Sequence, residues 1–222
     1  MLPKRIILVR HAQSEGNVDP NKYIEQPDYT IELTNLGITQ AKDTGIELKN
    51  LIGMESVGFY NSPFYRTRST LEYILESFKD NKYIIKEDPR LREQEYCKFN
   101  SLDEMNLIKT QRDQYGTFFY RVITGESGAD VYDRISTFLE TLYRDFNTNT
   151  LDNVIIVSHG LTIKLFLMRF FHLSVEQFEL MKTLKNAKYH VLNLSQDNKY
   201  ILPKLEYWEN TYHNYKYNLK NK

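Results

Sequence analysis

The 222-residue chain reads as an α/β protein, a three-layer αβα sandwich on a mostly parallel central sheet with helices on both faces. Three observations predict this. Short uninterrupted apolar runs, typical of strands buried on both faces, recur near residues 5–10, 57–60 and 154–157. Between them lie longer segments whose apolar residues return every three or four positions. The two kinds alternate from Arg5 to Phe171, the order expected of strand–helix–strand crossovers.

Taken in order, Ile6, Ile7, Leu8 and Val9 make the first strand, and polar His11-Ala12-Gln13-Ser14-Glu15-Gly16-Asn17 carries the chain out of the sheet. Thr34 is placed to cap a helix whose inner face is Ile38, Ala41, Gly45, Leu48 and Ile52. The strand at Val57-Gly58-Phe59-Tyr60 is stopped by Asn61-Ser62-Pro63. Leu71, Ile74, Leu75 and Phe78 mark a helix within residues 64–78, and Tyr83-Ile84-Ile85 a third strand before Asp88-Pro89. Residues 94–124 are charged and aromatic with weak periodicity, which predicts a cap of helices and loops inserted into the sheet topology.

Ser127 followed by Asp130 opens a helix with the face Val131, Ile135, Phe138, Leu142 and Phe146. The strand at Val154–Val157 precedes a helix over residues 161–171. Later strands are expected at residues 188–194 and 200–205, the second weakened by Pro203. A single domain over residues 1–209 and a weakly ordered tail over 210–222 follow.

Composition bounds the function. Twenty-nine Lys and Arg balance 29 Asp and Glu, which argues against coating nucleic acid or an anionic membrane. The single cysteine, Cys97, excludes an internal disulfide framework and fits a cytoplasmic location. Leu161 to Phe171, the most apolar later stretch, is broken by Lys164 and Arg169 and is far shorter than the roughly 20 residues that span a bilayer. No Cys-x-x-Cys or His-x-x-x-His pair supports a metal, no P-loop spacing occurs, and Ser158 lacks the Gly-x-Ser-x-Gly elbow of a serine hydrolase.

Chemistry gathers at strand ends. Two buried-type strands run into a histidine, at Val9-Arg10-His11 and Val157-Ser158-His159-Gly160, and ligands of open α/β sheets bind beyond the carboxyl ends of strands. A third strand leads through Ser62-Pro63 to Arg66 and Arg68 in the first turns of the next helix, where anions are favoured. Two histidines and several guanidiniums at one edge make an anion site. Neutral histidine can act as a nucleophile, and arginine suits a phosphoryl group because its fork never deprotonates. A leaving alkoxide needs a proton, and Glu93, in Arg90-Leu91-Arg92-Glu93-Gln94, is the candidate acid.

These residues resemble the histidine phosphatase superfamily, the phosphoglycerate mutase-like fold. Leu8-Val9-Arg10-His11-Ala12-Gln13-Ser14-Glu15-Gly16-Asn17, Leu33-Thr34-x-x-Gly37-x-x-Gln40-Ala41, Ser62-Pro63-x-x-Arg66-Thr67, Leu91-x-Glu93 and Val157-Ser158-His159-Gly160 stand in the family's order over roughly residues 5–170. Gly125-Glu126-Ser127 and Asp130-Val131-Tyr132-Asp133-Arg134 resemble a smaller branch of plant and fungal phosphoglycerate mutase-like proteins. The resemblance implies that His11 is the phosphorylated nucleophile and Glu93 the proton donor. It places Arg10, Arg66 and His159 on the phosphoryl oxygens, with Asn17 hydrogen-bonding nearby and Gln13, Ser14 and Gly160 as secondary contacts. It implies no metal. Two positions depart from the family's usual glycines, Ala12 after the first histidine and Cys97 four residues after the acid.

The expected activity is hydrolysis of a small phosphorylated metabolite through a phosphohistidine. The first alternative is a 2,3-bisphosphoglycerate-dependent phosphoglycerate mutase, the only case needing a cofactor; Lys98, Lys109, Arg112 and Arg121 supply charge for a substrate carboxylate. The tryptophan and paired arginines of true mutases are absent from 94–124, the one tryptophan being Trp208, so phosphatase ranks first. The second alternative is a non-catalytic scaffold, which would be expected to lack one of Arg10, His11, Arg66, Glu93 or His159. The expected partner is the small substrate alone, with no nucleic acid and no membrane, in a monomer or homodimer.

Overall fold

In the computed structural model, which describes residues 1–96, 98–148 and 150–202, the first strand organises the sheet. β1 (Arg5–Arg10) is joined by β2 (Val57–Asn61), β3 (Tyr83–Glu87), β4 (Asn153–Ser158), β5 (Tyr189–Leu194) and β6 (Tyr200–Ile201) in the order β3-β2-β4-β1-β5-β6. The β1–β4, β4–β2 and β2–β3 pairs are parallel, and β5 and β6 add antiparallel at one edge. The sheet is thus mixed, and its parallel part is where the predicted chemistry lies.

Among the described residues eight α-helices connect the strands. α1 (Glu15–Val18), α2 (Lys22–Glu25) and α3 (Asn35–Ile52) follow β1, and α4 (Tyr65–Leu75) follows β2. α5 (Leu102–Tyr115) and α6 (Gly128–Thr148) precede β4, and α7 (Gly160–Phe170) and α8 (Val175–Leu180) precede β5. Alternation along the strands sends Ile6, Leu8, Val154 and Ile156 against Val131, Ile135 and Phe138 of α6 and Ile163 and Phe166 of α7. Ile7, Val9, Phe59, Ile155 and Val157 point the other way, against Leu48 and Ile52 of α3 and Leu71 and Ile74 of α4. Each such side chain contributes about 1.5–3 kcal/mol on burial, so the middle of the sheet is the most firmly held part of the molecule.

The predicted caps form. Thr34 Oγ1 accepts from Gly37 N at 3.0 Å. Ser127 N donates to Asp130 Oδ2 at 2.7 Å, and Asp130 N returns a bond to Ser127 Oγ at 3.3 Å. α4 is shorter than its apolar face: Ser77 and Phe78 continue as turns bonded to Ile74 and Leu75, which still drop Phe78 into the core. The expected last strand is reduced to Tyr200–Ile201 among the described residues. Cys97, Pro203, Trp208 and the 210–222 tail lie outside them.

The predicted cap region packs differently from the sheet. α5 buries only Met105, and the segment after it is pinned by Phe118, which packs edge-on against Phe178 of α8 and Tyr132 of α6. No helix among the described residues is long and apolar enough to cross a membrane.

Candidate active site

The parallel register sets the site. Arg10 lies opposite Ser158, and Asn61 opposite Val157, so the residues just beyond the ends of β1, β4 and β2 are neighbours. His11 N donates to Ser158 O at 2.9 Å and Ser62 N to Val157 O at 3.1 Å. The His11 and His159 rings stand 5.3 Å apart between centroids, and both residues are buried.

The loop after His11 is seated in a socket made by the start of α3. Thr34 N donates to Gln13 O at 3.0 Å, and Gln13 N donates to Gln40 Oε1 at 3.0 Å. Gly37 passes so close that a Cβ there would lie 2.0 Å from Gln13 O. The Thr34, Gly37 and Gln40 pattern is therefore a backbone receptacle for the histidine loop. Gln13 belongs to it, since its side-chain Oε1 accepts from Thr34 Oγ1 at 2.8 Å.

His11 Nδ1 donates to the Ala12 carbonyl at 2.7 Å. Only the protonated nitrogen can do so, which leaves Nε2 with its lone pair. Burial first, and then the charges of Arg66 and Arg10, hold the ring well below the usual histidine range, so it stays neutral. His159 is held down by burial and by Arg66. Its Nε2 is 2.8 Å from Ser62 Oγ, and its Nδ1 is buried without a hydrogen-bond partner.

Both arginines are gripped at one end and open at the other. Arg10 donates through Nη1 to Leu184 O at 2.6 Å, while its Nε has no partner. Arg66 gives Nη1 to the Asp28 carbonyl and to Asp28 Oδ1, each at 2.7 Å, and its Nε is also unpartnered. Three buried nitrogens without partners, Arg10 Nε, Arg66 Nε and His159 Nδ1, thus belong to residues around His11. Such groups are costly unless a ligand satisfies them. A phosphoryl group brings three oxygens.

Glu93 approaches from the other side. Its Oε1 accepts from Gln94 N at 3.1 Å and from Thr162 Oγ1 and N at 3.0 and 3.3 Å. Oε2 accepts only from Leu161 N, at 3.3 Å, and is the less committed oxygen. The first turn of α7 therefore orients the carboxylate. Its backbone is clasped by Arg134, which donates to Arg90 O and to Glu93 O, and pairs with Glu126. Glu126 also accepts from Arg92 and from Glu95 N.

The other predicted residues fall around this centre. Asn17 Oδ1 accepts from Ser14 N at 3.1 Å, from Ser14 Oγ and from Asn186 Nδ2, holding the loop closed. At Gly160 a Cβ would lie 2.4 Å from Thr183 Cγ2 and 3.5 Å from Arg10 Nε, so glycine permits the close approach. Arg68 faces away, paired with Glu87 at 2.6 Å as a surface residue. Asp28, Ser62, Thr162, Leu184 and Tyr23 are parts that sequence reading missed. Tyr23 is shifted upward, by burial first, and feels the charges of Arg66, Asp28, Glu93 and Arg10. Among the described residues no three His, Cys, Asp or Glu side chains cluster as a metal site.

The sequence profile of the histidine phosphatase superfamily, branch 1, matches residues 6–206. The chain belongs to the histidine phosphatase superfamily. It is 45% identical over 216 residues to a phosphoglycerate mutase-like protein of Arabidopsis thaliana, covering 91% of this chain and 68% of the relative. It is 28% identical to a broad-range acid phosphatase of Saccharomyces cerevisiae, covering 90% and 88%. A solved mycobacterial glucosyl-3-phosphoglycerate phosphatase, complexed with VO3, shares the fold with a TM-score of 0.72 at 21% identity, over 90% and 98% of the two chains. As a member of the histidine phosphatase superfamily the chain tolerates Ala12, because that residue does not have positive φ and its methyl group packs with Ala41 and Ala187.

Proposed function

We propose that the protein is a phosphomonoester hydrolase acting through a phosphohistidine on a small phosphorylated metabolite. The observation that carries this reading is the trio of unpartnered buried nitrogens, two of them arginine donors, set around a histidine whose Nε2 is unprotonated. His11 Nε2 attacks phosphorus, the P–O ester bond breaks, and its electron pair leaves on the alcohol oxygen, which takes a proton from protonated Glu93. Arg10, Arg66 and His159 hold the three equatorial oxygens as charge shifts onto them. Water then attacks the phosphohistidine, giving its proton to the Glu93 carboxylate. The P–N bond breaks, its electron pair returns to Nε2, and phosphate is released.

Purified protein is expected to turn over p-nitrophenyl phosphate near pH 6 and to carry acid-labile phosphate on His11. His11→Ala should lower the rate by at least about 1,000-fold, or about 4 kcal/mol of barrier. An unchanged rate in that variant would remove His11 as nucleophile. Incubation with 3-phosphoglycerate, with and without 2,3-bisphosphoglycerate, separates hydrolysis from mutase chemistry. Phosphate release is expected to outpace 2-phosphoglycerate formation, and the reverse would make the protein a mutase.

A further inference from the structure

Two buried histidines stand 5.3 Å apart at the site, yet one has to give a lone pair and the other a proton. A neutral imidazole carries one N–H and one lone pair, so the bond at one nitrogen fixes what the other offers. Both rings are neutral, held so by burial first and then by Arg66. At His11 the Ala12 carbonyl takes the Nδ1 proton, and Nε2 keeps its lone pair. At His159 the bonded nitrogen is Nε2 instead, 2.8 Å from Ser62 Oγ.

The direction of that bond follows from the serine. Ser62 is fully buried, and among the described residues its Oγ meets only His159 Nε2 and, at 3.4 Å, the Phe64 N–H. The Phe64 N–H can only donate, so the Ser62 proton has one acceptor, the Nε2 lone pair. The reverse direction, Nε2 donating to Ser62, would bury two unsatisfied groups, the serine O–H and the Nδ1 lone pair. With the proton on Nδ1 a single group is left over, the Nδ1–H, and an oxyanion satisfies it.

We propose that Ser62 is a positioning residue that fixes His159 in its Nδ1–H form and so makes it a neutral hydrogen-bond donor to the phosphoryl group. The donor role rests on the phosphomonoesterase reading, whereas the tautomer does not. The two histidines then share one tautomer and differ in which end is occupied. Ala12 O takes the proton end of His11, and the Ser62 O–H takes the lone-pair end of His159. The backbone holds Ser62 to this place: its N–H donates to Val157 O at 3.1 Å, and its carbonyl accepts from Asn61 Nδ2 and Thr67 Oγ1. The His159 ring packs edge-on against Phe64, 5.0 Å between centroids, which holds its orientation.

Proton–nitrogen NMR correlation spectra of protein carrying isotope-labelled histidine read the tautomer directly, with the His159 signals assigned by their loss in His159→Gln. Wild type should show His159 protonated at Nδ1 and bare at Nε2, and its Nδ1–H signal should shift when inorganic phosphate is added. Ser62→Ala should move His159 toward the Nε2–H form while His11 keeps its Nδ1–H, a separation that general loosening of the site would not give. Its kcat for p-nitrophenyl phosphate should fall about 10-fold or more, as a donor to the developing charge is lost for part of the molecules. A wild-type His159 protonated at Nε2, or a tautomer unchanged in Ser62→Ala, would overturn the proposal. An Nδ1–H signal indifferent to phosphate, or an unchanged kcat after the tautomer has moved, would overturn the donor role. If Ser62→Ala does not fold, the wild-type spectra with and without phosphate decide. If wild type does not turn over p-nitrophenyl phosphate, the hydrolase reading fails, and the same spectra still judge the assignment to Ser62.

Discussion

The two sides of the pocket are built by different means. The phosphate side is cast from strand ends: His11, His159 and Ser62 follow β1, β4 and β2, whose parallel register fixes them relative to one another. The side proposed for the leaving group is assembled from the segment over residues 90–127, whose described residues form no strand and are held by side chains, among them Phe118 on Phe178 and the Arg134–Glu126 clasp behind Glu93. Position on the first side comes from a hydrogen-bonded ladder over a buried core. On the second it comes from individual side-chain contacts, ionic and aromatic, so the two sides should respond differently to substitution.

The sharpest way to separate them is at Glu93. Glu93→Gln should keep the carbonyl acceptor for Thr162 but cannot give up a proton, so turnover of an alkyl phosphate should fall by about 10²–10⁴-fold. p-Nitrophenyl phosphate, whose leaving group needs no proton, should suffer far less. Equal losses on both esters in steady-state assays would show that Glu93 acts on the phosphate side instead. Arg134→Met comes next. It removes one of the two arginines on Glu126 and the bonds to Arg90 O and Glu93 O, and losing such charged hydrogen bonds costs about 1.5–3 kcal/mol. Denaturant unfolding should show that loss, and kcat for alkyl phosphates should fall with it. A variant of wild-type stability would mean that the segment is held elsewhere.

The smallest effect belongs to the phosphate side and is a matter of pH. His11 and His159 are both held well below the usual histidine range, by burial first. Between the unfolded value of about 6.5 and the lower folded one, the unfolded chain binds more protons, so stability is full above pH 6.5 and is lost as pH falls. From pH 6.5 to 5.5 the loss should be roughly 1 kcal/mol for each ring. Urea titrations should show about half that combined decline in His11→Gln. An identical decline would mean that His11 is not buried neutral.

The same contrast explains what the sequence discloses. His11 and His159 are legible because each ends an apolar run, and a buried parallel strand delivers its next residue to a predictable edge. Arg66 is legible from its place in the first turn of a helix. Its grip on Asp28, 38 residues away, is not, because the contact joins the first turn of α4 to a short turn at Asp28 that has no sequence period. The block around Thr34, Gly37 and Gln40 can be recognised in the sequence by resemblance alone. Its reason, a glycine under the Gln13 carbonyl, needs the tertiary approach of α3 to the histidine loop. The chemistry of Glu126 and Arg134 is likewise hidden, since nothing in their spacing points back to residues 90–95.

The ladder beneath the two histidines has an evolutionary consequence. A one-residue slip between β1 and β4 would turn Ile6 and Leu8 from one packed face to the other, so the core forbids it. The distance between His11 and His159 is thereby insulated from drift elsewhere. Among the described residues of 94–124 no strand ladder imposes such a constraint, and α5 buries only Met105. New leaving groups can be explored there by substitution, insertion or exchange of the segment while the step at phosphorus is inherited intact.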